Sequence, residues 1–475
     1  MRILSFLFFI IYLFSCATHF TYYSSLKNLL SSEDYIKAES IIENNKFKEY
    51  GEKNALLYWL DKAITLHYAG KYQESILCFD KAEKLAEELY TKSITEEASS
   101  FLISDNVRSY QGEDFEKIFI NVFQALNYLF LGKYEEALVE ARKVDHKLKT
   151  LQVNYNNKNV YKEDAFMRYL TGLLYESQGE LNDAFVSYRK AINEYLTNYK
   201  IYNFAIPQDL IFRSLKIAKS LGFKEEFEEI AKKNKLNISL KDINSTTDDK
   251  AEVIIFHYNG FAPYKIDHYI EVSFGEGWGY VGSIEVSNDE QKDLQKARQI
   301  ARSIASEEQF LVAFPKFVPE QNRISYAVVE FYDIRGNVFL TQKTFIAENI
   351  ETIAIQNLED RIAKIRMKSI ARAAIKYALS REITHKLTKD SDELSKWLVK
   401  KALQVTSAAV EQADKRSWRT LPKEINLCIA SLPEDEYNVK IKFYDKSGIL
   451  IQEKSLGKIK TKKGKKTFLA VRTYI

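Results

Sequence analysis

The stretch Gly112–Val144, GEDFEKIFINVFQALNYLFLGKYEEALVEARKV, decides how the first half of this chain is read. At helical spacing Ile118, Val122, Ala125 and Leu129 share one face, and Tyr134, Ala137, Leu138 and Ala141 share another. Leu131-Gly132-Lys133 interrupts the period and reads as a turn between two helices. Small side chains at Ala125 and Ala137 let the two backbones approach, and large ones beside them fill the remaining space. Neither helix can bury its apolar face alone, so the pair predicts neighbours of the same kind.

Working outward, those neighbours are present. AITLHYAGKYQESILCFDKA carries Ala63, Gly70, Tyr72, Phe79 and Ala82, and LTGLLYESQGELNDAFVSYRKA carries Gly172, Gly179, Leu181, Ala184, Tyr188 and Ala191. Counted from each turn glycine, a small residue recurs at −7 and +5 and a large one at +2. With Ala125, Tyr128, Gly132, Tyr134 and Ala137 in the central copy, the pattern resembles the tetratricopeptide repeat, a helix–turn–helix of about 34 residues. Trp59 holds the repeat's tryptophan position, but Asn121 and Arg168 replace it in the later copies, Ala141 stands where an aromatic is usual, and the closing proline is absent. Residues 17–236 are therefore expected to form an all-α, TPR-like solenoid. A first unit falls in residues 20–50, an insertion at 91–116, and a degenerate closing pair begins at Pro207 with its turn at Gly222.

The chain has 475 residues, enough for two or three domains, with 46% hydrophobic and 28% charged residues. A net charge of +4 is too small for a protein that binds polyanions along its length, and no nucleic-acid partner is expected. The 3 cysteines, Cys16, Cys78 and Cys428, show no metal-ligand spacing, and their odd number argues against a disulfide framework.

Residues 1–16, MRILSFLFFIIYLFSC, combine a positive Arg2 with an apolar run too short to span a bilayer. Leu13-Phe14-Ser15-Cys16 resembles a bacterial lipobox, although Phe14 is larger than usual at its position. The resemblance implies that Cys16 is acylated, becoming a palmitate-type lipid anchor and the mature N-terminus; an ordinary cleaved signal or an uncleaved anchor are the alternatives. Ala17 follows rather than Asp, which favours the outer membrane, facing the periplasm, over the inner one.

Residues 237–250 are a polar linker without periodicity, after which the pattern changes from helical to alternating. AEVIIFHYNG, YIEVSF, FLVAFPKFVP, ISYAVVEFYDIRG and NVFLTQKTFI read as strands, with a helix at 289–308. A long amphipathic helix from Asn349 and a second from about Ser391 form an insertion over about 349–414, and EINLCIASL, YNVKIKFYDKSG, ILIQEKSL and KTFLAVRTY return to strand. Residues 251–475 are thus expected to be a β-sandwich-like domain with a helical insertion, giving an α+β multidomain protein.

Further stretches stand outside the repeats: Tyr110-Gln111-Gly112-Glu113-Asp114-Phe115-Glu116, Asn259-Gly260-Phe261-Ala262-Pro263-Tyr264-Lys265, Leu311 to Pro315, Asn349-Ile350-Glu351, Leu358-Glu359-Asp360-Arg361, Ile370-Ala371-Arg372 and Arg416-Ser417-Trp418-Arg419-Thr420-Leu421-Pro422. In that order they resemble a family of bacterial lipoproteins of uncharacterised function with a TPR array followed by a β-rich C-terminal domain. The resemblance implies architecture and location, not chemistry.

Two clusters are candidate binding residues. Glu113, Asp114 and Glu116 could grip a cation or basic peptide, or could simply cap a helix. Arg416, Trp418 and Arg419 could stack on a sugar or hold a phosphate; alternatively Trp418 plugs the sandwich while the arginines pair with Glu434, Asp435 or Glu436. Lysines between Lys454 and Lys466 could meet an anionic surface or guard an edge strand. His257 and His268 are the only histidine pair expected to meet, and both read as structural. No phosphate loop, HExxH or GxSxG is present. The expected function is a non-enzymatic, membrane-anchored scaffold using its repeat groove to hold a protein partner in the cell envelope, without cofactor or metal. A glycan or small-ligand binding module in the β-rich domain is the alternative.

Overall fold

The computed structural model describes residues 22–96, 108–154, 161–202, 205–243, 250–273, 309–388 and 412–474. The leader with Cys16, the helix expected at 289–308 and most of the helix expected after Ser391 lie outside these residues. Helices occupy the N-terminal part and sheets the C-terminal part, an α+β arrangement.

Helix α1 spans 22–31, followed by α2 (Tyr35–Asn44), α3 (Ala55–Tyr68), α4 (Tyr72–Glu96), α5 (Asp114–Phe130), α6 (Tyr134–Asn154), α7 (Ala165–Gln178), α8 (Leu181–Leu196), α9 (Gln208–Leu221) and α10 (Lys224–Lys233). They run as antiparallel pairs. Gly70, Gly132, Gly179 and Gly222 join α3–α4, α5–α6, α7–α8 and α9–α10, each with φ between +71° and +81°. A left-handed residue there returns the chain sharply, and a β-carbon would strain it. Ala63, Phe79, Ala82, Ala125, Ala137, Ala184, Tyr188 and Ala191 are all buried, while Tyr72 and Tyr134 are half-buried.

Close approach is tightest at Gly172. A β-carbon built there would lie 2.2 Å from Cε1 of Tyr188. Tyr188 has no free space to retreat into, because its hydroxyl donates to Glu176 at 2.5 Å across the same helix pair. Gly172→Ala gains helix propensity of up to about 1 kcal/mol yet overpacks a closed site at a cost of about 1–3 kcal/mol. A lowered urea midpoint with an unchanged slope is the expected result.

Among the described residues the ten strands are β1 (Ala251–Asn259), β2 (Tyr264–Ser273), β3 (Gln309–Val318), β4 (Tyr326–Tyr332), β5 (Val338–Lys343), β6 (Phe345–Asn349), β7 (Glu424–Leu432), β8 (Glu436–Tyr444), β9 (Leu450–Lys460) and β10 (Lys466–Thr473). One sheet has the order β10-β1-β7-β6, a second β5-β4-β8-β9, and β2–β3 form a hairpin. Helix α11 (Ile350–Thr388) follows β6 and packs on the hairpin through Ile362, Ile370, Val312 and Phe314. The run NVFLTQKTFI, expected to be one strand, is two. β5 pairs β4 in one sheet, β6 pairs β7 in the other, and Thr344 makes the crossing while its hydroxyl donates to the Ala327 carbonyl at 3.2 Å.

Burial follows pairing. β4 and β8 alternate buried and open positions, so each covers one face. β1 is buried at nearly every position because both its faces are covered. Val253 and Ile255 join Ala327, Val329, Phe331, Val439, Ile441 and Phe443 between the two sheets. Ile254, Phe256 and Tyr258 turn the other way and enter one apolar cluster with α3, α5 and α7. The face of the helix pairs expected to form an open groove is therefore covered over α3–α5 by the chain's own first sheet.

Candidate functional site

The seam between helices and sheet gathers most of the polar residues singled out in the sequence. It starts at the N-terminus of α5. The amide of Glu113 donates to Glu116 Oε2 at 3.0 Å, satisfying a donor that the helix leaves free. The other oxygen of Glu116 accepts the amide of Trp418 at 2.6 Å, and Tyr110 donates its hydroxyl to Oε2 at 2.5 Å. Two clusters about three hundred positions apart in sequence thus meet through one carboxylate.

Glu113 is bridged by Lys265 on β2 and Arg361 on α11. Burial alone would raise its pKa, but these two charges overcome the burial and hold it well below the usual carboxylate range. Asp114 lies 3.4 Å from Lys117 and 3.6 Å from Arg361. The acidic turn caps a helix and pins it to the β-rich half.

Trp418 is 1% exposed and sits edge-on to Phe79 and Phe123, with ring centroids 5.9 and 6.3 Å apart. It plugs the gap between helix pairs and sheet rather than the space between the two sheets. Instead of Glu434, Asp435 or Glu436, the arginines face the seam. Arg416 donates to Asp414 at 2.8 and 2.7 Å, to Asn54 at 3.2 Å and to the Arg108 carbonyl at 2.9 Å. Arg419 stacks on Tyr23 and Tyr264 at 5.0 and 5.2 Å. The lysines between Lys454 and Lys466 lie along β9, the turn after it and the start of β10, the two strands being edges of different sheets, and Lys454, Lys458 and Lys466 pair with Glu33, Glu436 and Glu252.

Two residues of the seam carried no distinguishing motif. Asp61 on α3 accepts from Thr420 at 2.6 Å, Tyr50 at 2.7 Å and Tyr23 at 3.1 Å. His67 is held between Asn127 at 2.7 Å and Tyr258 at 2.9 Å, and burial pushes its pKa down to about 4. Away from the seam, among α4, α5 and α6, Asn121, where the resemblance expects tryptophan, donates to Glu83 at 2.8 Å and Glu140 at 2.7 Å in a network with Lys143 and Lys147. The available signal was a polar residue on an apolar helix face, as Asp61 is among Leu57, Leu60 and Ile64. His257 and His268 do not meet: His257 is buried against Thr473 at 2.7 Å and His268 is exposed. Cys78 and Cys428 are free and buried. No group of metal-ligating side chains occurs among the described residues.

Burial pushes Asp61 up to about 6, and burial with the neighbouring Glu113 charge pushes Glu116 up to about 7. A carboxyl group whose folded pKa is raised binds protons more tightly in the native state, so its contribution is full below the unfolded pKa near 4.5 and is lost as pH rises towards 7. His67 works in the opposite sense between about 4 and 6.5. The difference between wild type and Glu116→Gln isolates the carboxyl group. Denaturant midpoints measured from pH 4.5 to 8 are expected to show wild type losing on the order of 2 kcal/mol more than the variant as pH rises.

Two clefts open beside the seam. One, of about 480 Å³, lies between α7, α9 and the start of β1 and β10, with Arg213 and Glu252 on its wall. Its apolar side is Tyr134, Leu181, Phe212 and Ile217, and its cations include Lys216, Lys250 and Lys465. Arg213 donates to Glu176 at 2.9 Å, Asp209 at 2.6 Å and Glu252 at 2.5 Å, joining two helices to the sheet. The second, of about 370 Å³, lies between residues 108–113, α11 and residues 412–416, and Arg361, Lys364, Lys368 and Arg372 line it from one face of α11.

Comparison with known proteins brings no match: no family model and no curated protein aligns with the chain. No helix among the described residues is long and apolar enough to cross a membrane.

Proposed function

We propose that this chain is a non-enzymatic lipoprotein of the bacterial envelope, acylated at Cys16 and held at the periplasmic face of the outer membrane, with the inner membrane as the alternative. In this reading the helix pairs are a TPR-like array, the two stacked sheets are a β-sandwich, and the whole is a scaffold for an envelope protein. The observation that carries it is the 480 Å³ cleft. The array's inner face is covered over α3–α5, so a partner segment engages the array where it remains open, at α7 and α9. An apolar wall beside three lysines suits an acidic segment bearing an apolar side chain. A photo-crosslinking residue at Phe212, which is exposed, tests this in intact cells. A reproducible envelope protein captured by the Cys16 form and lost in Cys16→Ala supports the scaffold. Capture of no defined protein overturns it.

The second reading, a glycan or small ligand bound at the β-rich domain, is favoured by the cationic cavity along α11. Its ligand would be anionic, and titration with muropeptides tests it.

A further inference from the structure

The turn Lys46–Tyr50 after α2 is a single π-helical turn closed by Gly51. Its backbone is held: Glu49 N–H bonds the Asn45 carbonyl and Gly51 N–H the Lys46 carbonyl, both at 2.9 Å. Tyr50 points inward to Asp61, and Phe47 points outward. Phe47 is 86% exposed, more than any other large hydrophobic residue among those described. A single exposed apolar residue is ordinary on a protein surface, but a phenyl ring presented by an ordered turn and flanked by Lys46 and Lys48 is the composition of a membrane-interface contact.

Where this turn lies gives the feature its meaning. Tyr22, the first described residue, packs edge-on against Tyr50 with ring centroids 5.5 Å apart and hydroxyls at 2.7 Å. The chain therefore enters the fold against the same turn that carries Phe47. Tyr22 lies only six positions after Cys16, a span of about 20 Å at full extension. A lipid on Cys16 thus brings a bilayer surface within reach of the Phe47 tip.

We propose that Phe47, with the exposed Lys48 beside it, forms a second contact with the membrane, the ring among the lipid headgroups and the Lys48 ammonium on their phosphates, while Lys46 packs over Tyr58 and Trp59. The inference rests on the reading of Cys16 as acylated. It makes the protein a body seated on the membrane by its first helices rather than one swinging on a leash.

The test uses the full acylated chain in phosphatidylethanolamine–phosphatidylglycerol vesicles. Phe47→Cys is labelled with an NBD fluorophore, and Phe339→Cys, exposed on β5, is the control. Cys78 and Cys428 are buried and do not compete for label. With nitroxide-headgroup lipid in the vesicles, the label at 47 is expected to lose about half its emission or more, and the label at 339 little. Equal quenching at the two positions, or none at 47, with Cys16 shown by mass spectrometry to carry its lipid, overturns the second contact and leaves the anchor standing. An unacylated Cys16 overturns the anchor, and the contact falls with it.

Discussion

Trp418→Ala is expected to cost about 3–5 kcal/mol, the range for removing a large aromatic side chain from a closed core. The ring fills the space between Phe79 and Phe123 and is 1% exposed, so neighbouring groups have little freedom to close the gap. Its contribution is packing, since the indole N–H has no hydrogen-bond partner. Two further consequences follow. The amide of residue 418 holds Glu116, so loosening this segment releases the cap of α5. Thr420, two positions on, holds Asp61 on α3. Calorimetry is expected to show the variant's unfolding separating into two transitions, helical and β-rich, where wild type shows one. A single sharp transition at an unchanged temperature would mean that the seam does not depend on this ring. Trp418→Phe, which keeps an aromatic plug, should recover much of the loss.

Arg213→Met is expected to be comparably damaging, at about 3–5 kcal/mol. One guanidinium serves three carboxylates on α7, α9 and β1, and its side chain is almost wholly buried. Removing it leaves Glu176 and Glu252 with Lys466, and Asp209 with the Tyr169 hydroxyl. Lysine cannot substitute, because it lacks the fork that reaches three partners at once. The pH dependence carries the signature. Burial would raise Glu252, but Arg213 and Lys466 hold it down at about 2. A depressed carboxyl group contributes its stability above the unfolded pKa near 4.5 and loses it as pH falls towards 2. In Arg213→Met this acid-side loss should shrink or reverse, as read from urea midpoints across that range. Glu252→Gln added to Arg213→Met should restore part of the stability, since neighbours in one network do not act additively.

The helix pairs were legible because their information is local. Gly132 with Ala125 and Ala137 fixes a turn and two contact faces within a dozen positions, and the same spacing recurs around Gly70 and Gly179. The alternation of β4 and β8 was equally readable, because each strand has one buried face. The division of NVFLTQKTFI at Thr344 was not: nothing in the run marks a residue whose hydroxyl finds a backbone partner on another strand. The seam was illegible for the same reason on a larger scale. His67 meets Tyr258 191 positions away, and Glu116 meets Trp418 302 positions away. Spacing rules do not reach across such separations, so Glu116 and Trp418 were each visible as unusual while their joining was not. Asn121 was readable only as a departure from the repeat, since its carboxylate partners sit on other helices.

β10 runs parallel to β1, the one parallel pairing among the described strands, with Glu252 opposite Lys466 and Asn259 opposite Thr473. β10 is thus a neighbour of β1, and the pairing spans more than two hundred positions. During synthesis the helices emerge and can pair long before the edge that completes their cover exists. Until β10 arrives, Phe256 and Tyr258 on β1 and the aromatic faces of α3 and α5 have incomplete shelter. Closing so long a loop is slow, and apolar surface left waiting is open to association with other chains. A chain lacking β10 would therefore meet proteases with its helices formed and its seam open.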